Sequence, residues 1–202
     1  MKKSLDEHAD RFSDHAADYD ESQNSPEYRA CADLVVAHAN PQPDDVVLDL
    51  GTGTGAIAFG VAETAESVVG RDISDGMLEQ AREKADAQGI ENVEFGEGRF
   101  RDPGFEGNVD IVTSNFAMHH LADDEKREAI DAIAALEPRR IVLGDVMFFD
   151  EPNPEDPFYS PEVDDPATVG MLADAFTDAG YAITAVEMVS DQVGVLVAEQ
   201  LD

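Results

Sequence analysis

The sequence predicts an α/β fold, a doubly wound seven-stranded sheet that is mostly parallel, with helices on both faces and a C-terminal antiparallel hairpin. Three observations carry this. From residue 46 onward short apolar runs alternate with helical patterns, the signature of repeated β-helix-β units. The first run, VVLDLGTGTG at 46–55, breaks into glycines at alternate positions, as a strand does when it turns tightly into a helix. The last two runs, 183–189 and 193–199, are joined only by Ser190, Asp191 and Gln192, a connection that suits antiparallel neighbours and no parallel crossover.

The elements follow in order. Phe12, His15, Ala16 and Tyr19 recur at helical spacing over 5–20 and predict a short amphipathic helix. Ser25 and Pro26 then supply an N-cap and a proline at the first helical position, and Tyr28, Cys31, Ala32 and Val35 form the buried stripe of a second helix, which Pro41 and Pro43 stop. The first strand, 46–50, leads into a helix burying Ile57 and Val61. The second strand is 67–71. Ser74 caps a helix with Met77, Ala81 and Ala85 on one face, ended by Gly89.

Strands are predicted at 93–95, 109–114 and 140–147, with a helix through Ala129, Ile130, Ile133 and Leu136 between the last two. Residues 150–168 hold five prolines (152, 154, 157, 161, 166) with Phe158 and Tyr159, and fit no helix or strand pattern. Lying after a strand's carboxyl end, this stretch is either a lid over a pocket or a solvated loop. Val169, Leu172, Ala173 and Phe176 make a helix closed by Gly180. The expectation is a single domain over 1–202, with residues 1–40 as a helical N-terminal cover.

With 202 residues, 43% of them hydrophobic, the chain has the means to build a substantial core. The formal charge of -32 comes from 45 acidic against 13 basic residues, and only Lys2, Lys3, Lys84 and Lys126 are lysines. Such self-repulsion is relieved at molar salt, where the screening length is about 3 Å, against about 30 Å at 0.01 M. It points to a halophilic cytoplasm. The same charge opposes DNA, RNA and anionic membranes. Cys31 is the only cysteine, so no intramolecular disulfide or thiolate cluster forms. MKKSLDEHAD lacks the apolar stretch of a signal peptide, and no run approaches a membrane span.

The turn at Gly51, Gly53 and Gly55 precedes a helix N-terminus, a place suited to a nucleotide-like ligand. Asp72 ends the second strand 21 residues after Gly51, where a carboxylate can accept from both hydroxyls of a ribose. Ile73 and Met77 stand beside it, able to pack on a base. This pattern is compatible with NAD, but Asp49 beside the turn and the extra Gly55 do not suit a pyrophosphate. A carboxylate there suits a ligand with a cationic amine.

VLDLGTGTG at 47–55, GRDIS at 70–74, VDIVTSNFAMHHL at 109–121, the terminal hairpin and HAADYDES at 15–22 together resemble the small class I S-adenosylmethionine-dependent methyltransferases, over nearly the whole chain. The resemblance implies a Rossmann-like methyltransferase fold with S-adenosylmethionine as cofactor. Asp49, Gly51, Gly53 and Gly55 would then line the methionine half, Asp72 the ribose and Ile73 the adenine face. Asn115 and Phe116 would flank the methionine part, and Tyr19 would close over the sulfonium. One departure stands out: Gly98 is followed by Arg99 and Phe100, where the family often has an acid that accepts from adenine. Adenine recognition then falls to backbone groups, Phe100 stacking, Asp102 or a shifted register.

His119 and His120 follow the fourth strand. Neighbouring residues face different ways, so one serves as base or substrate contact and the other holds the turn; His119 is the expected catalytic base, and no metal is expected. The implied reaction is in-line transfer of the methyl group to a small-molecule acceptor. A cofactor-binding protein without transferase activity and an NAD(P)-dependent oxidoreductase are the competing readings. The NPPY-type tetrapeptide is absent, with Ser114-Asn115-Phe116-Ala117 in its place, which disfavours DNA adenine methylation.

Overall fold

A computed structural model describes residues 5–150 and 157–201. Lys2, Lys3, Pro152 and Pro154 lie outside the described residues. The helices are α1 (Leu5–His15), α2 (Tyr19–Ser22), α3 (Pro26–Ala39), α4 (Ala56–Ala62), α5 (Asp75–Gln88), α6 (Asp123–Ala134) and α7 (Val169–Asp178). The strands are β1 (Val46–Leu50), β2 (Ser67–Asp72), β3 (Val93–Glu97), β4 (Ile111–Asn115), β5 (Arg140–Phe148), β6 (Ala167–Thr168), β7 (Ala182–Met188) and β8 (Val193–Glu199).

The sheet runs in the order β3-β2-β1-β4-β5-β8-β7. Its first five strands are parallel, and β8 is antiparallel to both β5 and β7. The order reverses at β1, which lies between β2 and β4 with Asp49 opposite Gly70 and Thr113. A ligand crevice opens at such a switch point, beyond the carboxyl ends of the strands.

Each strand deals its residues to two faces. Val47, Val68 and Ile111 pack with Ala58 and Val61 of α4 and Leu78, Ala81 and Ala85 of α5. On the other face Leu48, Leu50, Val112 and Leu143 meet Ile130 and Ile133 of α6 and Leu172 and Phe176 of α7. Cys31 and Val35 of α3 close the first layer over Val142, Val193 and Val195. Burying one such side chain contributes about 1.5–3 kcal/mol, so both faces of the sheet are sealed by apolar packing.

Four expectations need correcting. The helix predicted over 5–20 breaks into α1, a 3-10 turn at Ala16–Asp18 and α2. Its buried stripe runs through His8 rather than His15, whose exposed ring turns back to the Arg11 carbonyl at 2.8 Å. The fourth strand starts at Ile111 instead of 109, because the Asp110 side chain takes the Val46 N–H at 2.8 Å and ends the ladder there. α6 stops at Ala134, short of Leu136. The proline-rich stretch is not wholly irregular: Ala167 and Thr168 pair with Met147 and Phe148 as β6, and Thr168 caps α7.

Candidate active site

β1 carries Asp49 to the crevice and runs into the glycine turn. Gly51, Gly53 and Gly55 take φ of +68°, +54° and +91°, a region costly for other residues. The Gly51 and Thr52 amides both donate to the Arg71 carbonyl, at 2.8 and 3.0 Å, which holds the turn against the end of β2. A Cβ on Gly51 would lie 2.4 Å from that of Ala117, whereas at Gly53 it would meet nothing within 4 Å. Gly51 is therefore demanded by crowding, and Gly53 faces open space. Gly55 serves the fold instead: it caps α4, lies against Phe59 and does not line the crevice.

Two carboxylates flank the turn. Asp49 is 1% exposed and accepts from Thr52 Oγ1 at 2.6 Å and Thr113 Oγ1 at 2.8 Å. Burial pushes its pKa up to about 6 in spite of these two hydroxyls, and the nearby Asp72 adds to the rise. Asp72 ends β2 and accepts from the Gly53 amide at 2.8 Å and the Ser74 amide at 2.9 Å. Burial raises its pKa too, against the pull of these backbone donors. Each oxygen of Asp72 carries one of these bonds and retains acceptor capacity.

These groups surround one cavity of about 580 Å³. It gathers the predicted residues Tyr19, Asp49, Gly51, Gly53, Asp72, Ile73, Met77, Phe100, Asn115 and Phe116; Gly55 and His119 do not line it. Asn115 Nδ2 is buried with no hydrogen-bond partner among the described residues, while its Oδ1 accepts from Cys31 Sγ at 3.3 Å. A buried donor without a partner is costly and marks a place for a ligand acceptor. Phe116 sits at φ +52°, a strained position for an aromatic residue, and packs on Tyr28 at 5.1 Å. Tyr19 and Tyr28 are buried deeply enough to raise both phenol pKa values, so each remains a neutral donor.

The N-terminal helices reach over this cavity and are fastened twice. Ser13 Oγ lies 2.9 Å from Ser74 Oγ, and the Gly76 amide donates to it at 3.3 Å. Thr54 Oγ1 donates to Asp20 at 2.6 Å, and Lys84 pairs with the same carboxylate. Residues 98–102 form the facing rim: Arg99 and Asp102 exchange backbone hydrogen bonds at 2.9 and 3.1 Å, and Phe100 and Asp102 line the cavity.

The two histidines divide. His119 is buried away from the cavity, with its amide on Asp145 Oδ2 at 3.0 Å and its Nδ1 2.5 Å from Asp145 Oδ1. Burial alone would lower its pKa, but the Asp145 carboxylate overrides this and raises it. His120 lines the cavity with Nδ1 2.8 Å from Asp164 Oδ1. Burial and the neighbouring His119 bring its pKa down to about 4, against the pull of Asp164. Atoms of His119, His120 and Asp164 lie within 4.8 Å of one another, a spacing open to a metal ion, but each Nδ1 is already engaged by a carboxylate.

A profile of the methyltransferase domain matches residues 47–137, from β1 past α6. YcgJ of Bacillus subtilis, an uncharacterized methyltransferase, is 32% identical over 127 residues, covering 61% of this chain and 47% of its own length. An uncharacterized methyltransferase of Oceanobacillus iheyensis is 30% identical over 149 residues, covering 70% of this chain and 68% of its own. The chain belongs to the class I S-adenosylmethionine-dependent methyltransferases. The methyltransferase thus spans about half of the first relative and about two thirds of the second. Its fold is also that of a chain in the complex between the Haloferax volcanii Trm112 methyltransferase activator and a methyltransferase, with TM-score 0.78, 19% identity, and coverage of 95% and 98%.

Several cavity residues of the methyltransferase escape sequence reasoning. Tyr28 reads as a member of a helical stripe and His8 falls outside the predicted one, and only the docking of α1 and α3 brings them to the crevice. Asp164, which does not line the cavity but holds His120, is one acid among 45, with no motif to mark it. Among the described residues, no helix is long and apolar enough to cross a membrane.

Proposed function

We propose that this methyltransferase moves a methyl group from S-adenosylmethionine to a small-molecule acceptor by in-line displacement inside the 580 Å³ cavity. The observation that carries the reading is that Asn115, whose buried Nδ2 has no partner among the described residues, lines the same cavity as Asp72 and the open side of Gly53. An amino-acid carboxylate matches the first, a ribose diol the second, and a close backbone approach the third. Asp49 favours a cationic amine. The buried Asp49 carboxylate beside the turn does not suit the pyrophosphate of NAD, which separates this site from an oxidoreductase's.

When bound, the sulfonium supplies an already activated methyl group. The chain's own part is positioning and the exclusion of water, for which effective molarities of up to about 10⁵–10⁸ M show the scope. Ile73, Met77 and Phe100 offer apolar contact to a base, while Tyr19 and the fastened N-terminal helices cover the reacting end. The charge of -32 disfavours nucleic-acid acceptors and supports a small one.

Calorimetric titration in 2–3 M KCl tests the reading. S-adenosylhomocysteine binds and NAD does not; tight NAD binding alone overturns it. A metabolite screen with labelled methyl donor then separates an enzyme from a binder, since binding without transfer to any acceptor leaves only the latter.

A further inference from the structure

We propose that His120 and Asp164 form a catalytic dyad that takes the proton from a hydroxyl acceptor, so that this site serves oxygen methylation of a small hydroxylated ring. The inference rests on the methyl-transfer reading and adds to it the acceptor class and the base. Asp164 Oδ1 lies 2.8 Å from Nδ1 of His120, and since a carboxylate only accepts, it holds the imidazole as the Nδ1–H tautomer. Nε2 makes no hydrogen bond among the described residues, and the ring lines the cavity. A base oriented by a carboxylate behind it, with its other nitrogen toward the reactant, is the arrangement general-base chemistry needs.

The surroundings are aromatic. The rings of His8 and Phe12 each stand 5.3 Å from that of His120, and both line the same cavity. Asp164 itself is held in place from three sides. The Ser160 amide donates to Oδ2 at 2.7 Å, the Asp165 amide donates to the His119 carbonyl at 2.7 Å, and Lys126 Nζ joins the Leu121 and Asp165 carbonyls. The proline-rich stretch thus contributes a positioning residue to the site. His119, the histidine favoured by the sequence, has both its amide and its Nδ1 committed to Asp145 and positions the turn.

The step balances. As the acceptor oxygen bonds to the methyl carbon, the carbon–sulfur bond breaks and its electron pair returns to sulfur, leaving neutral S-adenosylhomocysteine. The hydroxyl proton passes to His120 Nε2, and Asp164 offsets part of the cost that burial and His119 place on the imidazolium until it discharges to water. The charged or titratable groups around His120 are His8 from α1, His119 and Asp145 behind it, Asp164 beside it and Lys126 beyond His119.

The test uses the full chain with S-adenosylhomocysteine in 2 M KCl. Histidine ¹⁵N spectra should show His120 as the Nδ1–H tautomer, and Asp164→Asn should shift it toward Nε2–H. With S-adenosylmethionine, phenol should be methylated, and His120→Gln should slow that transfer about 10²–10⁴-fold. Asp164→Asn should slow it at least about tenfold while S-adenosylhomocysteine affinity stays within about threefold. Pyridine, which has no proton to lose, should show no such dependence on either variant if it is methylated at all. An Nε2–H His120 in the wild type, unmethylated phenol, an unchanged phenol rate in His120→Gln that still binds S-adenosylhomocysteine, or loss of the wild-type rate with EDTA overturns the proposal. Failure to bind S-adenosylhomocysteine overturns the underlying reading instead, and the tautomer still judges the dyad.

Discussion

Replacing Asp72 with alanine removes a carboxylate that already holds two backbone amides, Gly53 at 2.8 Å and Ser74 at 2.9 Å, and still has acceptor capacity toward the cavity. A hydrogen bond to a charged group contributes about 1.5–3 kcal/mol. Loss of one such bond to a ribose hydroxyl should therefore raise the Kd for S-adenosylhomocysteine roughly 10- to 100-fold, at about 1.4 kcal/mol per decade. The fold should suffer less. The freed amides border an open cavity where water replaces the carboxylate, and removing a half-buried charge offsets part of the loss. Asp72→Asn, which keeps one acceptor oxygen, should fall between the two in affinity. Titration calorimetry in 2–3 M KCl, with a thermal melt on the same samples, reads both quantities. An Asp72→Ala protein that melts cooperatively and binds S-adenosylhomocysteine with wild-type Kd would refute the ribose assignment.

Asp49 has a folded pKa of about 6, above the ordinary aspartate value, so the folded state binds its proton more tightly than the unfolded chain does. Its contribution to stability is greatest below the unfolded pKa and is lost as pH rises through about 6. Asp49→Asn should accordingly raise stability of the ligand-free protein at pH 7, by at most about 3 kcal/mol, and flatten the pH 4–6 slope in denaturant titrations. Its affinity for S-adenosylhomocysteine should drop. Gly51→Ala forces a φ of +68° on a side chain whose Cβ would lie 2.4 Å from that of Ala117, so melting should show a loss on the order of 1–3 kcal/mol from the backbone alone, whereas Gly53→Ala, with open space around it, should cost less stability. With a charge of -32, thermal unfolding should move upward between 0.1 and 3 M KCl, and a flat profile would argue against a halophilic origin.

Much of the architecture is legible in the residues alone, because strand and helix periods, caps and tight turns are local. Ser25, Ser74, Gly89 and the hairpin link 190–192 all do in the structure what their residue types require. The glycine turn and Asp72 are equally local, since they follow from what a strand end must do to meet a ligand. The misreadings arise where a side chain replaces a backbone partner, as Asp110 does at the start of β4, or where two residues of pairing depend on a distant strand, as in β6.

Sequence by itself therefore determined the doubly wound sheet, the glycine turn and ten of the residues around the cavity, because each rests on short-range patterns of hydrophobicity, φ and capping. Only the tertiary structure decided which of two adjacent histidines faces that cavity. Both sit in one 3-10 turn, and their directions are set by Asp145 on β5 and Asp164 from the proline-rich stretch, 26 and 44 residues away. Among 45 acids no local rule singles out those two; packing of the chain against itself does.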